Sequence, residues 1–199
     1  AQTRTRTVIV VLDRTGPILT LQGNDTITVE QCGNYTEPGA VANDAIDGDL
    51  TSAIKVIGAV DATKTGNYNV VYSVKDAQSN YSTKTRLVRV VDTKKPSILR
   101  LGTKITDGMT INVQINNVFV DDIYAEDPCN GNIFISKNPG YFGVVNNQIR
   151  NTYPIVYRST DPSGNKATED GYVLNYRVDD YIAPEIELNT SDTVLHDVN

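Results

Sequence analysis

The segment "VVYSVKDAQSN" at residues 70–80 occurs again as "IVYRSTDPSGN" at residues 155–165, and this duplication decides how the chain is organised. The two stretches align Tyr72 with Tyr157, Asp76 with Asp161 and Asn80 with Asn165. In each, the alternating apolar residues are typical of a half-buried β-strand, and the Asp, Ser and Asn residues that follow favour a turn. Self-similarity of this kind indicates a tandem array of one structural unit.

The junctions between the repeats carry a second recurring pattern, an Asp, three further residues and a Pro. It occurs at Asp13 to Pro17, Asp92 to Pro96 and Asp180 to Pro184, so the unit is about 80 to 88 residues long. We therefore predict that residues 1–12 are the last strand of a preceding repeat and that residues 13–95 are repeat 1. Residues 96–183 are then a divergent repeat 2, and residues 184–199 begin a following repeat.

Composition predicts an all-β protein, and the repeats, with their size and strand spacing, predict tandem Ig-like β-sandwich repeats in an elongated array. The 199 residues include 11 Tyr, 3 Phe and no Trp, with Val, Ile and Thr in short alternating runs between polar turns. Runs such as "NYNVVYSV" and "TKTRLVRVV" predict strands, and a unit of this size suits a small sandwich. A net charge of −6 with scattered Lys and Arg argues against nucleic acid, and the absence of a run of roughly 18 apolar residues argues against direct membrane insertion.

The first repeat resembles a known family, the bacterial Ig-like surface repeats of the DUF5011 and HYR type. The matching features are Pro17 with its apolar alternation, "YTEPGA", "NDAIDGDLT", "TGNYNVVYSVKDAQSN" and the closing "RVVD". Repeat 2 departs from this pattern, since "NVFVDDIYAEDPCNGNIF" replaces the acidic stretch and the loop after it is longer. The resemblance implies an extracellular, cell-surface β-sandwich array on large bacterial adhesins, without catalytic activity.

The acidic stretch "NDAIDGDLTSAI" at residues 43–54 predicts either a solvated turn or a cation site. Asp and Gly are common in turns for backbone reasons, but oxygen ligands around a Gly-containing turn are also what Ca²⁺ prefers. If successive strands alternate in direction, this turn meets the linker and the end of the fourth strand at one end of the repeat. The carboxylates expected there are Asp13, Asp44, Asp47, Asp49 and Asp76.

Repeat 2 has a weaker version of the same set. Its members are Asp92, Asp127 and Asp161, with Asn130 and Asn132 at the positions of Asp47 and Asp49. Fewer carboxylates predict weaker cation binding. A turn-capping role for Asp76 and Asp161 remains the alternative to metal ligation and is compatible with it.

Cys32 and Cys129 are the two cysteines of the chain, and they are not at equivalent positions of the repeats. The alternation of strand direction places Cys32 at the lower end of repeat 1 and Cys129 at the upper end of repeat 2. An exported chain favours a disulfide between them, across the linker. Two buried free thiols are the alternative.

The sequence contains no catalytic constellation that would predict an enzyme. Its one His, His196, lies in the truncated third unit, and no CxxC, HExxH or phosphate-binding Gly loop occurs. Two binding-class functions remain: a structural stalk that holds an adhesive tip away from the cell, with neighbouring repeats as its partners, or a module that recognises a glycan or protein. Exposed aromatics in repeat 2 would serve the second function, and Tyr124, Tyr141 and Phe142 are the candidates, although core packing is the more common role of such residues.

Short modification motifs agree with a surface location. "DTI" at residues 25–27 and "DTV" at residues 192–194 look like the Asp-Thr-apolar O-glycosylation sites of Bacteroidetes. They favour a surface protein of an adhesive bacterium or of one that moves by gliding motility.

Overall fold

The computed structural model describes residues 12–139 and 145–183, together with residues 4 and 6. The chain divides into two compact units, Ala1–Lys94 and Lys95–Asn199, one residue from the predicted boundary. Most of residues 1–12 and all of residues 184–199 lie outside the described residues, so their assignment to flanking repeats stays a prediction.

The first unit is made of seven strands and one short 3-10 turn at Thr51–Ala53. The strands are β1 (Ile18–Leu21), β2 (Thr26–Glu30), β3 (Ala40–Asp44), β4 (Gly48–Asp49), β5 (Lys55–Ile57), β6 (Gly66–Lys75) and β7 (Tyr81–Val91). They form two sheets, one in the order β1-β3-β4 and one in the order β2-β7-β6-β5. Within the second sheet β2 pairs with β7 in parallel, while the other pairs are antiparallel.

The second unit repeats this plan with one added strand. Its strands are β8 (Ser97–Arg100), β9 (Thr103–Lys104), β10 (Thr110–Gln114), β11 (Ile123–Asp127), β12 (Gly131–Ile133), β13 (Ile135–Pro139), β14 (Asn151–Ser159) and β15 (Tyr172–Asp179). The sheets are β12-β11-β8-β9 and β10-β15-β14-β13, and β10 is again parallel to β15. The added strand β9 forms a hairpin with β8.

Each unit has its own core, to which both of its sheets contribute. In the first unit Leu19 of β1 and Ala42 of β3 pack in the same cluster as Val29, Val74 and Val88 of the other sheet. In the second unit the least exposed residues are Tyr157 and Leu174, both fully buried. Inward and outward residues alternate along β11 and β14, as expected for strands with one buried face.

The alternating runs "ILTL" and "TITV" at the start of the first unit belong to different sheets. β1 pairs with β3, whereas β2 pairs with β7 on the other sheet. The chain changes sheet between them at Gly23, whose φ of +76° is accessible to Gly at little steric cost. Residues 18–30 therefore contribute one strand to each sheet of the sandwich.

The all-β class predicted from composition is confirmed, since the described residues contain no α-helix. None of the helical structure in the described part of the chain is long and apolar enough to cross a membrane.

Candidate metal centre

Three aspartates that are distant in sequence meet in the first unit. Asp13 precedes β1, Asp44 is the last residue of β3 and Asp76 follows β6. All three are buried, with 8%, 4% and 5% exposure respectively. Each offers a carboxylate oxygen, and these oxygens lie within 4.8 Å of one another. The site holds three of the five carboxylates that strand alternation predicts at this end.

Two of these aspartates are held by the turns that follow them. Asp44 Oδ1 accepts the backbone N–H groups of Ile46 and Asp47, at 2.8 and 3.0 Å. These bonds, the one from Asp47 first, hold the pKa of Asp44 below its usual range. Asp76 accepts from both the backbone N–H and the side-chain amide of Asn80, at 2.8 and 2.7 Å. The turn-capping role is therefore present, and it fixes both carboxylates in place.

Asp13 differs from the other two, because one of its carboxylate oxygens is buried and has no hydrogen-bond partner among the described residues. Its Oδ1 accepts the backbone N–H and the hydroxyl of Thr15, at 3.0 and 2.8 Å. Its Oδ2 is buried and has no hydrogen-bond partner. The side-chain amide of Asn80 also reaches the backbone carbonyl of Asp13, at 3.4 Å. An unsatisfied buried carboxylate oxygen next to two other carboxylates is costly without a positive charge.

Asp47 and Asp49 are held in other interactions. Asp47 Oδ2 accepts the backbone N–H of Ala77 at 2.9 Å, which joins the acidic turn to the turn after β6. Asp49 Oδ1 accepts the N–H of Thr51 at 2.8 Å, and the hydroxyl and N–H of Thr51 lower the pKa of Asp49. Both residues were expected as ligands, and in the structure each accepts a backbone N–H that fixes the position of its carboxylate.

The second unit has counterparts of Asp44 and Asp76. Asp127 ends β11, and Asp161 follows β14 and begins the turn after it. Both are buried, and they bring carboxylate oxygens within 4.8 Å of each other. Asp161 accepts from Asn165 as Asp76 does from Asn80, at 2.8 and 2.9 Å. Asp127 Oδ2 is buried without a hydrogen-bond partner, as in Asp13.

The remaining members predicted for repeat 2 occupy different places. The backbone N–H and side-chain amide of Asn130 donate to Asp127 Oδ1, at 2.8 and 3.1 Å. Asn132 lies in β12, opposite Glu126 of β11. Asp92 follows β7 at the end of the first unit, and its part in a site of repeat 2 stays a prediction.

Cys32 and Cys129 are each disulfide-bonded, so the alternative of two free thiols is excluded, and their pairing across the linker stays a prediction. Cys32 adopts a φ of +57°, in the left-handed region that side chains rarely occupy.

One polar group that sequence reasoning missed lies in the core of the first unit. The side chain of Arg86 in β7 is fully buried and forms an ion pair with Glu37. Glu37 also accepts the hydroxyls of Tyr35 and Tyr72. Arg86 Nε donates to the carbonyl of Asn24 at 3.0 Å, and its Nη2 donates to the carbonyls of Gln22 and Gly39. Alternation along β7 could have located it, since Arg86 is on the same face as Val88.

The pKa values of this group follow from burial and hydrogen bonding. Burial, followed by the bond to Glu37, raises the pKa of Tyr35 and of Tyr72 to about 12. Burial alone would raise the pKa of Glu37, but the hydrogen bonds from Tyr35, Tyr72 and the backbone of Gly39, with the charge of Arg86, lower it below the usual range. Glu37 is therefore a carboxylate at neutral pH.

The aromatic residues considered for ligand recognition are only partly described. Tyr124 is half-buried, and its hydroxyl accepts the backbone N–H of Gly102 at 3.0 Å. Tyr141 and Phe142 lie outside the described residues.

Comparison with known proteins shows that the first unit is similar to a family of surface domains. Residues 19–90 match the model of the bacterial surface protein Ig-like domain. A curated relative, an uncharacterised 81.3 kDa protein of Acholeplasma phage L2, is 30% identical over 168 residues, which cover 81% of this chain and 21% of that protein. The chain therefore spans about a fifth of the length of this relative.

Two solved structures show similarity of limited extent. The lipoprotein BT2262 from Bacteroides thetaiotaomicron is 30% identical with a TM-score of 0.37, over 41% of this chain and 43% of that one. A structure of CBM51-2 in complex with GlcNAc and INT domains from Clostridium perfringens ZmpB is 19% identical with a TM-score of 0.32, over 72% of this chain and 30% of that one. Residues 19–90, which lie within the first unit, are similar to the bacterial surface protein Ig-like domain.

Proposed function

We propose that this chain is a structural segment of an exported bacterial surface protein, whose Ig-like repeats act as a stalk for a domain elsewhere in the protein. The observation that carries this proposal is the repetition of one strand order in two compact units, each with its own core. Repeated units of this kind add length rather than new chemistry. The bacterial surface Ig-like match supports a cell-surface location and a role that is not enzymatic.

The arrangement of the acidic side chains also supports a structural role. The carboxylates of Asp44, Asp76 and Asp161 are each fixed by backbone N–H groups of the turn that follows. Such contacts order the loops at strand ends, where a repeat protein joins one unit to the next. A surface repeat of this kind would serve adhesion by presenting a tip that makes the contact.

A second candidate function is recognition of a glycan by the second unit. An open cleft of about 250 Å³ is lined by Arg100, Asp122, Asn117, Phe119 and Tyr176. Arg100 and Asp122 form an ion pair at 2.8 Å, and Phe119 contacts the Tyr176 ring edge-on with centroids 4.8 Å apart. Charged and amide groups beside an aromatic ring are suited to sugar hydroxyls and to the apolar face of a sugar.

A glycan array probed with the 199-residue chain tests the two functions against each other. We expect no saturable binding by the wild-type chain, because a stalk needs no ligand of its own. Arg100→Ala is the matched variant, since Arg100 lines the cleft without being fully buried. Binding that the wild-type chain shows and Arg100→Ala loses would overturn the stalk as the sole function and assign recognition to the second unit.

A further inference from the structure

We propose that Asp13, Asp44 and Asp76 bind one hard divalent cation, for which Ca²⁺ is the best fit, and that Asp47 and Asp49 are not ligands. The inference rests on the proposed function in one respect only. A cation that binds Asp13 of the linker together with Asp44 and Asp76 at the ends of β3 and β6 would order this end of a stalk repeat. It names the ligand of the candidate metal centre and selects three of the five predicted carboxylates.

The three buried carboxylates carry negative charge that no basic side chain of the described residues neutralises. Asp13, Asp44 and Asp76 are each more than nine-tenths buried, and no Lys or Arg of the described residues forms a salt bridge with any of them. Like charges this close repel strongly when water is excluded. A bound cation removes the repulsion and keeps the turn contacts of Asp44 and Asp76 intact.

One carboxylate oxygen of Asp13 is buried and has no hydrogen-bond partner among the described residues. The Asp13 carboxylate uses Oδ1 for Thr15, while Oδ2 is buried and has no hydrogen-bond donor. A buried acceptor of this kind needs a partner, and a cation supplies one. The second unit provides an independent instance, because Asp127 Oδ2 is also buried and without a donor.

The distances between the three carboxylate oxygens fit one bound cation. Oxygens bound to one Ca²⁺ each lie at about 2.3–2.6 Å from it, so two of them are separated by no more than about 5 Å. The three carboxylate oxygens lie within 4.8 Å of one another, which satisfies this limit without movement of the backbone. The group contains only carboxylates, and an all-oxygen set favours Ca²⁺ over the metals that prefer His or Cys.

The geometry also separates ligands from positioning residues. The oxygens that lie within 4.8 Å of one another belong to Asp13, Asp44 and Asp76. Asp47 Oδ2 instead accepts the N–H of Ala77, and Asp49 Oδ1 accepts the N–H of Thr51. An Asn at either position keeps an acceptor oxygen for the same contact. Repeat 2 has Asn130 and Asn132 at these two positions while Asp127 and Asp161 are retained, which agrees with the division.

Thermal unfolding of the 199-residue chain with roughly millimolar Ca²⁺ and with EDTA tests the proposal, with binding of Ca²⁺ followed by calorimetry. We expect Ca²⁺ to raise the melting temperature of the wild-type chain, and Asp13→Asn to abolish this rise and weaken binding by about tenfold or more. Asn at position 13 keeps an acceptor for Thr15, so the variant in EDTA should melt at or above the wild-type temperature.

Asp47→Asn and Asp49→Asn are the matched controls, and both should keep the Ca²⁺-dependent rise. The proposal is overturned if the wild-type chain shows no rise and no binding, if Asp13→Asn keeps both, or if either control loses them. A negative result here would leave the stalk function standing, because that function is tested separately by the glycan array.

Discussion

Glu37→Ala is expected to lower the free energy of unfolding of the first unit by about 3 kcal/mol, near the lower end of what breaking a buried ion pair costs. The variant leaves Arg86 fully buried without its carboxylate, and it removes the acceptor of the Tyr35 and Tyr72 hydroxyls. The loss stays near the lower end because Arg86 keeps its bonds to three backbone carbonyls. Urea unfolding, followed by the far-ultraviolet signal, measures the change.

Two further variants separate the charge from the packing. Glu37→Gln should lose less stability than Glu37→Ala, because its amide oxygen can still accept from Arg86 and Tyr72. Combining Glu37→Ala with Arg86→Leu should cost less than the sum of the two single variants, because the residues share one interaction. Leu is the replacement for Arg86 because Leu174 occupies the matching position of the second unit. Leu174 pairs with Ile155 on the neighbouring strand, as Arg86 pairs with Val70. Additive costs would contradict the assignment of these residues to one network.

The stability difference between the wild-type chain and Glu37→Ala should depend on pH. The pKa of Glu37 is lower in the folded state than the usual 4.5, so the carboxylate contributes stability that is fully present above the unfolded-state pKa. This contribution is lost as the pH falls through the folded-state pKa. A difference between the two chains that persists undiminished below that pH would show that the charge of Glu37 is not its cause.

Gly58→Ala is the second variant with a large expected effect, a loss of roughly 3 kcal/mol from left-handed backbone strain and steric overlap together. Gly58 follows β5 with a φ of +105°, and a Cβ there would lie 2.2 Å from the carbonyl oxygen of Asn69. That oxygen belongs to the backbone of β6, so the strand itself must shift.

Gly23→Ala is the control for the steric part of this effect. Gly23 has a φ of +76°, but the nearest atom to its Cβ would be in Pro38 at 3.7 Å, an ordinary contact. Its cost should be about 1 kcal/mol, from the left-handed conformation alone. Equal losses for Gly58→Ala and Gly23→Ala, measured by the same urea titration, would exclude the overlap with Asn69 as a cause.

Much of the fold could be predicted because the strands alternate visibly. The predicted runs "NYNVVYSV" and "TKTRLVRVV" lie within β6 and β7, and the repeated Tyr72 and Tyr157 occupy matching core positions. The hairpin of β8 and β9 was not predictable, since it turns at Leu101 with a φ of +47°, and Leu rarely adopts this conformation. The change of sheet at Gly23 was not predictable either, because the residues "QGND" indicate a turn between "ILTL" and "TITV" without specifying which sheet each strand joins.

The candidate metal centre was predictable to the level of strand ends but not of side chains. Alternating strand direction was enough to bring Asp13, Asp44 and Asp76 together. The direction in which Asp47 and Asp49 point depends on single hydrogen bonds to Ala77 and Thr51, and no residue pattern specifies those. Carboxylates in a turn are therefore easier to locate than to assign as ligands.

The most direct measurement is an anomalous difference map from crystals of the 199-residue chain grown with CaCl₂ and measured at long wavelength. We expect a peak in the first unit with oxygens of Asp13, Asp44 and Asp76 at about 2.4 Å and with Asp47 and Asp49 outside the coordination sphere. A map without a peak between these three carboxylates, or with a peak coordinated by Asp47 or Asp49 instead, would contradict this expectation.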